Sequence, residues 1–204
     1  MSYPSLKVLA ISGSLRQRSL NSALLDAASE LAPASMQIKR YDLTSIPLFN
    51  ADLLADGEPV PVIEFKHHIQ QADAVLIATP EYNHSIPGVL KNALDWASRP
   101  KSDSPLRGKA LAMIGAGGSF GTLLAQNHLR EIALALGMQP MTGPNLYVSR
   151  AWEKFDRQGH LTDESTRQRL AQVLEALNQW TVRLQAELPA AIPLNNRSGA
   201  VVTT

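Results

Sequence analysis

Five consecutive apolar residues at Ala74–Ala78 constrain the fold of this chain more than any other stretch. They are all aliphatic, and no polar residue interrupts them. A strand with one solvated face alternates apolar and polar residues, whereas a strand without alternation is buried on both faces, as in parallel sheets covered by helices. The stretch therefore predicts a central strand of a parallel sheet.

Strand-like and helix-like segments alternate along the rest of the chain. The predicted strands are Lys7–Ile11, Met36–Tyr41, Ala74–Ala78, Ala110–Ile114 and Asn145–Val148. Predicted helices cover about 19–31, 62–71 (with Ile63, Phe65 and Ile69 inward), a segment from Pro87, a segment closed by Gly137, and 164–188. Residues 46–61 read as a surface connection. The alternation predicts an α/β fold, an open doubly wound sheet of five parallel strands with helices on both faces. We expect one domain over residues 1–188, and a tail at 189–204 to which no role is assigned.

Composition excludes several classes of function. A chain of 204 residues fits one domain, and its net charge of +1 gives no long-range attraction to nucleic acid. The absence of cysteine excludes disulfides, thiolate metal sites and cysteine nucleophiles, and we predict no metal site. No apolar run approaches the roughly 18 residues that span a bilayer, and the N-terminus lacks a signal-peptide pattern. We therefore expect a cytoplasmic protein with no membrane or nucleic-acid partner.

The loop after the first predicted strand carries the residues that suit a phosphate. It offers the neutral donors Ser14, Ser19 and Asn21 and the cations Arg16 and Arg18. A helix start adds unpaired backbone N–H groups and the positive end of a dipole. Two plainer interpretations stay open: Ser19 as a helix N-cap only, and Arg16 as a solvated charge.

Two further loops follow later strands and are expected at the same edge of the sheet. These are Pro80–Ser85 and the glycine-rich Gly115–Gly121. In doubly wound sheets ligands bind at the carboxyl ends of the strands, where the strand order reverses. The sequence therefore predicts one ligand site built from three loops.

Three blocks together resemble the NAD(P)H-dependent FMN reductases, which include bacterial quinone and chromate reductases. The first is Gly13-Ser14-Leu15-Arg16 with Ser19 and Asn21, the second is Pro80-Glu81-Tyr82-Asn83, and the third covers Pro87–Trp96. The resemblance implies a flavodoxin-like fold with strand order 2-1-3-4-5. It also implies bound FMN, NADPH or NADH as the electron donor, and a homodimer or homotetramer.

The same resemblance assigns the binding residues. The FMN phosphate would contact Ser14, Arg16, Ser19, Leu20 and Asn21. The isoalloxazine ring would lie along Pro80, Glu81, Tyr82 and Asn83, with Gly117 and Ser119 of the third loop on its other side. No side chain is assigned as catalytic, because the flavin carries the chemistry. The expected acceptors are small molecules: quinones, chromate, nitro- or azo-aromatics, or free flavin.

Two other functions remain as alternatives. One is a flavodoxin-like electron carrier, and the other is a serine hydrolase, because Gly117–Gly121 fits Gly-x-Ser-x-Gly with Ser119 as nucleophile. A hydrolase needs an acid and then a histidine on later loops. Downstream lie only His128, within a helix, and His160, which shares one segment with Asp156. The pattern disfavours the hydrolase, and Ser119 reads better as a flavin contact or a helix cap.

Several residues have two readings that the sequence does not separate. His84 would contact flavin or nicotinamide, or belong to ordinary surface or subunit packing. Tyr82 would stack on the ring or cross a subunit interface, and the Glu81 side chain reads as structural. Trp152 is expected in an exposed loop, and its segment, 150–163, could border the active site.

Overall fold

The computed structural model describes residues 5–55 and 57–187, so the predicted tail at 189–204 lies outside the described residues. Six parallel strands are formed: β1 Leu6–Ser12, β2 Met36–Tyr41, β3 Ala74–Ala78, β4 Ala110–Ala116, β5 Gln139–Pro140 and β6 Leu146–Val148. The helices are α1 Leu20–Leu31, α2 Asp52–Ala55, α3 Val60–Gln71, α4 Gly88–Ala97, α5 Leu123–Ala135 and α6 Glu164–Glu187. None of the helices described is long and apolar enough to cross a membrane.

The sheet has the predicted order β2-β1-β3-β4, and β5 and β6 both pair with β4. The fifth strand is thus divided into two pieces, of which the sequence predicted only the second. β5 pairs with the start of β4, and β6 pairs with its end. The Gln139 and Met141 N–H groups donate to carbonyls at the start of β4, so the nitrogen of Pro140 faces away from that strand. Pro144, which has no N–H to donate, falls in the unpaired stretch between the two pieces.

Both faces of the sheet are buried, as the Ala74–Ala78 run predicts. Ala74, Leu76 and Ala78 join the core formed with α1 and α6, while Val75 and Ile77 join the core formed with α3, α4 and α5. All five residues of β3 are buried. A central strand in a doubly wound sheet requires this period-2 division of its side chains.

Two details of the prediction were wrong. Ile63 was expected to face inward but is half exposed, because α3 buries Val62, Phe65 and Ile69, and Ile63 is turned about 100° from Val62. The surface connection over residues 46–61 also contains the short helix α2.

Candidate functional site

The register of the sheet brings the three candidate loops together. Ser12 pairs with Ala78, and Ala78 pairs with Ile114, so β1, β3 and β4 end side by side. The Gly13 N–H donates to the Ala78 carbonyl at 2.8 Å, and the Thr79 N–H donates to the Ile114 carbonyl at 3.0 Å. The expected convergence of the loops is therefore confirmed.

The first loop ends in an N-terminus with free donors. Ser19 is the N-cap of α1 and accepts a hydrogen bond from the Ser22 N–H at 3.3 Å. The N–H groups of Leu20 and Asn21 have no acceptor within the part of the chain that the structure describes. Unpaired N–H groups at the start of a helix, together with its dipole, stabilise an anion. The capping interpretation of Ser19 is correct, and it leaves the hydroxyl proton available to donate.

The tip of the first loop is exposed and held by its own hydroxyls. Ser12 Oγ accepts from the Ser14 N–H at 3.2 Å and from the Ser22 hydroxyl at 3.1 Å. The Arg16 guanidinium is exposed and donates to the Arg18 carbonyl at 2.9 Å, so no carboxylate neutralises it among the described residues. Arg16 therefore presents a free cation beside the α1 N-terminus.

Asn21 ties the first loop to the third. Its Nδ2 donates to the Ala116 carbonyl and its Oδ1 accepts from the Ala116 N–H, both at 2.9 Å. The residue is 3% exposed. The side chain that sequence reasoning offered as a phosphate donor is thus committed to the end of β4. The backbone N–H of Asn21 has no acceptor in the described residues and remains available to an anion.

The second loop is a tight hairpin with two left-handed residues. Tyr82 and Ser85 exchange backbone hydrogen bonds of 2.9 and 3.0 Å, with Asn83 at φ 50° and His84 at φ 62° between them. Positive φ is uncommon for residues other than glycine, and asparagine and histidine are among the residues that adopt it most often. The hairpin holds Tyr82, half of whose surface is exposed, at the rim of the site.

The Glu81 side chain caps a helix rather than facing a ligand. Its Oε2 accepts from the N–H groups of Leu124 and Ala125 at 2.9 and 3.0 Å, at the start of α5. The structural interpretation of this carboxylate is confirmed. Ser119 does not cap α5, because the N-cap residue is Thr122 and the side chain that accepts from the first N–H groups is Glu81.

The third loop packs so closely that two of its glycines have no room for a side chain. A Cβ on Gly115 would lie 2.0 Å from Thr122 Oγ1 and 2.4 Å from the Thr79 carbonyl oxygen. One on Gly117 would lie 2.3 Å from the Gly121 carbonyl oxygen. The loop therefore keeps the backbone of Gly115 and Gly117 against its neighbours and exposes its tip, Gly118, Ser119 and Phe120, to solvent.

The segment after β6 fastens the third loop. The Arg150 N–H donates to the Gly118 carbonyl at 2.8 Å, and the Ala151 N–H donates to the Gly117 carbonyl at 3.0 Å. Trp152 follows at once and is 61% exposed. The segment over residues 150–163 thus borders the candidate site, which the sequence left open.

A groove of about 1290 Å³ runs from the first loop to the turn Asp156–Leu161. Asp156 Oδ1 accepts from the N–H groups of Gln158 and His160 at 2.9 and 2.8 Å. The His160 backbone hydrogen bond is the main reason that the pKa of Asp156 is lowered. Sequence reasoning left open whether the segment containing this turn borders the site and named none of the turn's residues as ligand contacts. The only signal was an Asp three residues before a glycine, which is typical of a side-chain-stabilised turn.

The groove contains the first loop but not the other two. Neither Pro80–Asn83 nor Gly117–Ser119 lines it. The hydrogen bonds described above join the second and third loops, and the groove lies only on the side of the first loop.

The hydrolase alternative finds no support in the geometry. Asp156 and His160 do pair, with Oδ2 and Nδ1 3.0 Å apart. They line the groove, which Ser119 does not, and Ser119 bonds to no histidine within residues 5–55 and 57–187. A serine without a base in reach is not an activated nucleophile.

Comparison with known proteins gives a consistent result. The family model described as NADPH-dependent FMN reductase matches residues 6–153. An NAD(P)H-dependent FMN reductase of Pseudomonas aeruginosa is 49% identical over 181 residues, which is 88% of this chain and 97% of that protein. An NAD(P)H:quinone oxidoreductase of Solanum tuberosum is 43% identical and covers 90% of this chain and 97% of its own length. The solved structure of FerB, a flavoenzyme NAD(P)H:(acceptor) oxidoreductase from Paracoccus denitrificans, superposes with a TM-score of 0.81. It is 37% identical and covers 87% of this chain and 98% of its own.

Proposed function

The chain belongs to the NADPH-dependent FMN reductase family, and from this we propose that its three converging loops hold FMN for the reduction of small-molecule acceptors by NAD(P)H. The observation that carries the proposal is the clamp between Asn21 and Ala116, which fixes the anion-binding loop against the end of β4. FMN needs an anion cradle and a flat slot at a fixed separation, and this clamp sets that separation.

The first loop is the proposed phosphate cradle. The free N–H groups of Leu20 and Asn21, the hydroxyls of Ser14 and Ser19 and the guanidinium of Arg16 supply donors of the type that phosphate takes. The fit is supported by the absence of competing acceptors on those N–H groups within the described chain. Arg16 contributes charge, and the backbone contributes fixed geometry.

The second and third loops are the proposed ring slot. The N–H groups of Glu81 and Asn83 donate to no protein acceptor in the described ranges, and Pro80 is buried beneath them. Gly117 and Ser119 face the same edge from the third loop. Backbone N–H groups fixed in this way stabilise the negative charge that a reduced flavin carries.

Bound FMN would supply the two-electron chemistry, accepting hydride from NAD(P)H and returning it to the acceptor. The overall balance for a quinone is NAD(P)H plus a proton plus quinone, giving NAD(P)⁺ plus hydroquinone. Because donor and acceptor use one slot in turn, we expect ping-pong kinetics. The protein binds and orients the reactants and excludes water. Chromate, nitro- or azo-aromatics and free flavin are further acceptors within the proposal.

Domain organisation, oligomeric state and location are also part of the proposed function. We expect one catalytic domain over residues 1–188, a homodimer or homotetramer, and a cytoplasmic location. The single sheet that all described strands share supports the first of these. The alternative of an electron carrier is not favoured, since the relatives are named as NAD(P)H-dependent reductases.

The decisive experiment is an absorbance spectrum of the purified protein, followed by anaerobic titration with NADPH and then by a panel of acceptors. We expect a flavin spectrum that NADPH bleaches and that a quinone restores. Protein that stays colourless after incubation with FMN, or that binds FMN but is not bleached by NADPH, contradicts the proposal.

The phosphate cradle has its own test in the variant Arg16→Gln. FMN affinity should fall about tenfold or more, while affinity for riboflavin, which lacks the phosphate, should stay the same. Arg107→Gln removes the same charge at the start of β4, the opposite edge of the sheet, and serves as the control. Equal loss for FMN and riboflavin would show that Arg16 does not contact the phosphate.

A further inference from the structure

Exposed aromatic side chains are confined to one edge of the molecule. Tyr82, Phe120 and Trp152 are 51%, 82% and 61% exposed, and no other Phe, Tyr or Trp in the described residues is even half exposed. We call these three residues the aromatic rim. An exposed apolar cluster at one place marks a binding surface, whereas scattered apolar residues do not.

Direct hydrogen bonds join the three segments that carry the rim. The Glu81 carboxylate, next to Tyr82, binds the N-terminus of α5 just beyond the third loop. The Arg150 and Ala151 N–H groups bind the Gly118 and Gly117 carbonyls, which places the segment of Trp152 beside the turn that carries Phe120. The rim is therefore continuous with the proposed ring slot and is not part of the groove at the phosphate side.

The charges around the rim are already satisfied. Arg150 lies 3.5 Å from Glu153, and the Glu81 carboxylate, already bound by two N–H groups, lies 3.5 Å from His84 Nδ1. His128 Nδ1 is 3.1 Å from Ser85 Oγ. The rim thus offers flat apolar surface and no unpaired cation among the described residues, which suits an uncharged planar ring better than an inorganic anion.

We infer that Phe120 and Trp152 bind the planar ring of the electron acceptor at the mouth of the slot and set a preference for aromatic acceptors over inorganic ones. The inference depends on the proposed function, since it names residues that choose the acceptor of that same site. It goes beyond the proposed function in assigning the choice of acceptor to two side chains that are not among the proposed FMN contacts.

The kinetic test compares two acceptors in the FMN-loaded enzyme with saturating NADPH. For Phe120→Ala and Trp152→Ala, kcat/KM for 1,4-naphthoquinone should fall about three- to tenfold, the usual worth of one aromatic contact. For ferricyanide it should stay within about twofold, as should the rate at which NADPH bleaches the flavin. Phe120→Tyr and Trp152→Phe keep a ring and should restore most of the naphthoquinone activity.

A matched control is available on the opposite edge of the sheet. Leu134, near the end of α5, is 62% exposed, so Leu134→Ala removes apolar surface of similar exposure. Leu134→Ala should leave kcat/KM unchanged for both 1,4-naphthoquinone and ferricyanide. Because the rim side chains are so exposed, their removal should leave the unfolding midpoint nearly unchanged.

Binding can also be followed without turnover. Trp96 is fully buried and Trp180 partly so, which leaves Trp152 as the most accessible indole of the three. In the oxidised enzyme without NADPH, 1,4-naphthoquinone should protect Trp152 from acrylamide quenching, with Trp152→Phe giving the background signal. The chain has no cysteine, so the quinone cannot form thiol adducts.

Three outcomes would overturn the inference. The first is an equal fall for ferricyanide and naphthoquinone. The second is no protection of Trp152 by the quinone. The third is conversion of an oligomer to monomer by Phe120→Ala with Trp152→Ala in light scattering, because the rim would then be a contact with a second copy of the chain. Failure of the proposed function is different: the wild-type enzyme would not be bleached by NADPH at all.

Discussion

Replacing Asn21 by alanine tests the physical basis of the whole site. The substitution removes both 2.9 Å hydrogen bonds between Asn21 and Ala116. Ala116 is itself buried, with 4% of its surface exposed. A buried N–H and a buried C=O then lack partners, at about 1–3 kcal/mol each. Entry of a water into the space reduces the total. We expect the free energy of unfolding to fall by about 2–4 kcal/mol, which corresponds to a fall in Tm of roughly 5–15 °C.

The same variant should weaken FMN binding, because the phosphate cradle is no longer fixed to the end of β4. We expect the Kd for FMN to rise at least about tenfold, equivalent to about 1.4 kcal/mol. Urea denaturation of the apo protein measures the first effect, and titration of flavin fluorescence measures the second.

Asn92→Ala is the matched control. The Asn92 side chain also makes two hydrogen bonds to backbone, away from the site. It accepts from the Phe49 N–H at 2.7 Å and donates to the Pro47 carbonyl at 2.8 Å. Its loss should cost about 1–2 kcal/mol and leave the Kd for FMN unchanged. If Asn21→Ala affects FMN no more than Asn92→Ala does, the clamp does not set the geometry of the site. If Asn21→Ala leaves the free energy of unfolding unchanged, the two hydrogen bonds between Asn21 and Ala116 do not stabilise the protein.

Substitutions at Glu81, Gly115 and Asp163 test three further contacts. Glu81→Ala should lower the free energy of unfolding, measured in urea, by about 1–2 kcal/mol. Glu81→Gln keeps an oxygen acceptor and should cost about half as much. Equal losses for the two variants would contradict the capping role. Gly115→Ala should destabilise by about 3 kcal/mol, because its Cβ meets oxygens at 2.0 and 2.4 Å, whereas Gly118→Ala, with open space, should be nearly neutral. Bonds from Lys154 and a threonine lower the pKa of Asp163 to about 2, so its stabilisation is complete above about pH 4 and lost as pH falls toward 2. Asp163→Asn should therefore lower Tm at neutral pH, and the difference in Tm from the wild type should disappear as the pH falls toward 2. A difference in Tm that does not change with pH would contradict this role of Asp163.

Local sequence was enough for the fold because each element follows from a short pattern. The aliphatic run at Ala74–Ala78 has no polar residue to face water, so only a doubly covered strand satisfies it. Ser19 has a short oxygen-bearing side chain one residue before the first helical turn, and it caps α1 as predicted. Gly137 follows the end of α5 with φ 72°, a conformation that glycine adopts without strain.

What the sequence missed depended on partners distant along the chain. Ala116 is 95 residues from Asn21, and no local pattern tells whether an amide will meet a phosphate or a strand end. Leu124 lies 43 residues beyond Glu81, so the capping of α5 from another loop left no local signal either. The gap between β5 and β6 was likewise invisible until their register with β4 was known.

The chain by itself therefore determined its layers, its strand order through family resemblance, and the loops that converge at the candidate site. The tertiary structure decided which groups in those loops remain free to bind. A polar side chain buried at an element boundary bonds to whatever backbone is nearest, and the packing of distant segments chooses that neighbour. For this reason Asn21 and Glu81 bond to backbone within the protein, whereas the N–H groups at the start of α1 stay unpaired in the described residues and the rings of Phe120 and Trp152 stay exposed.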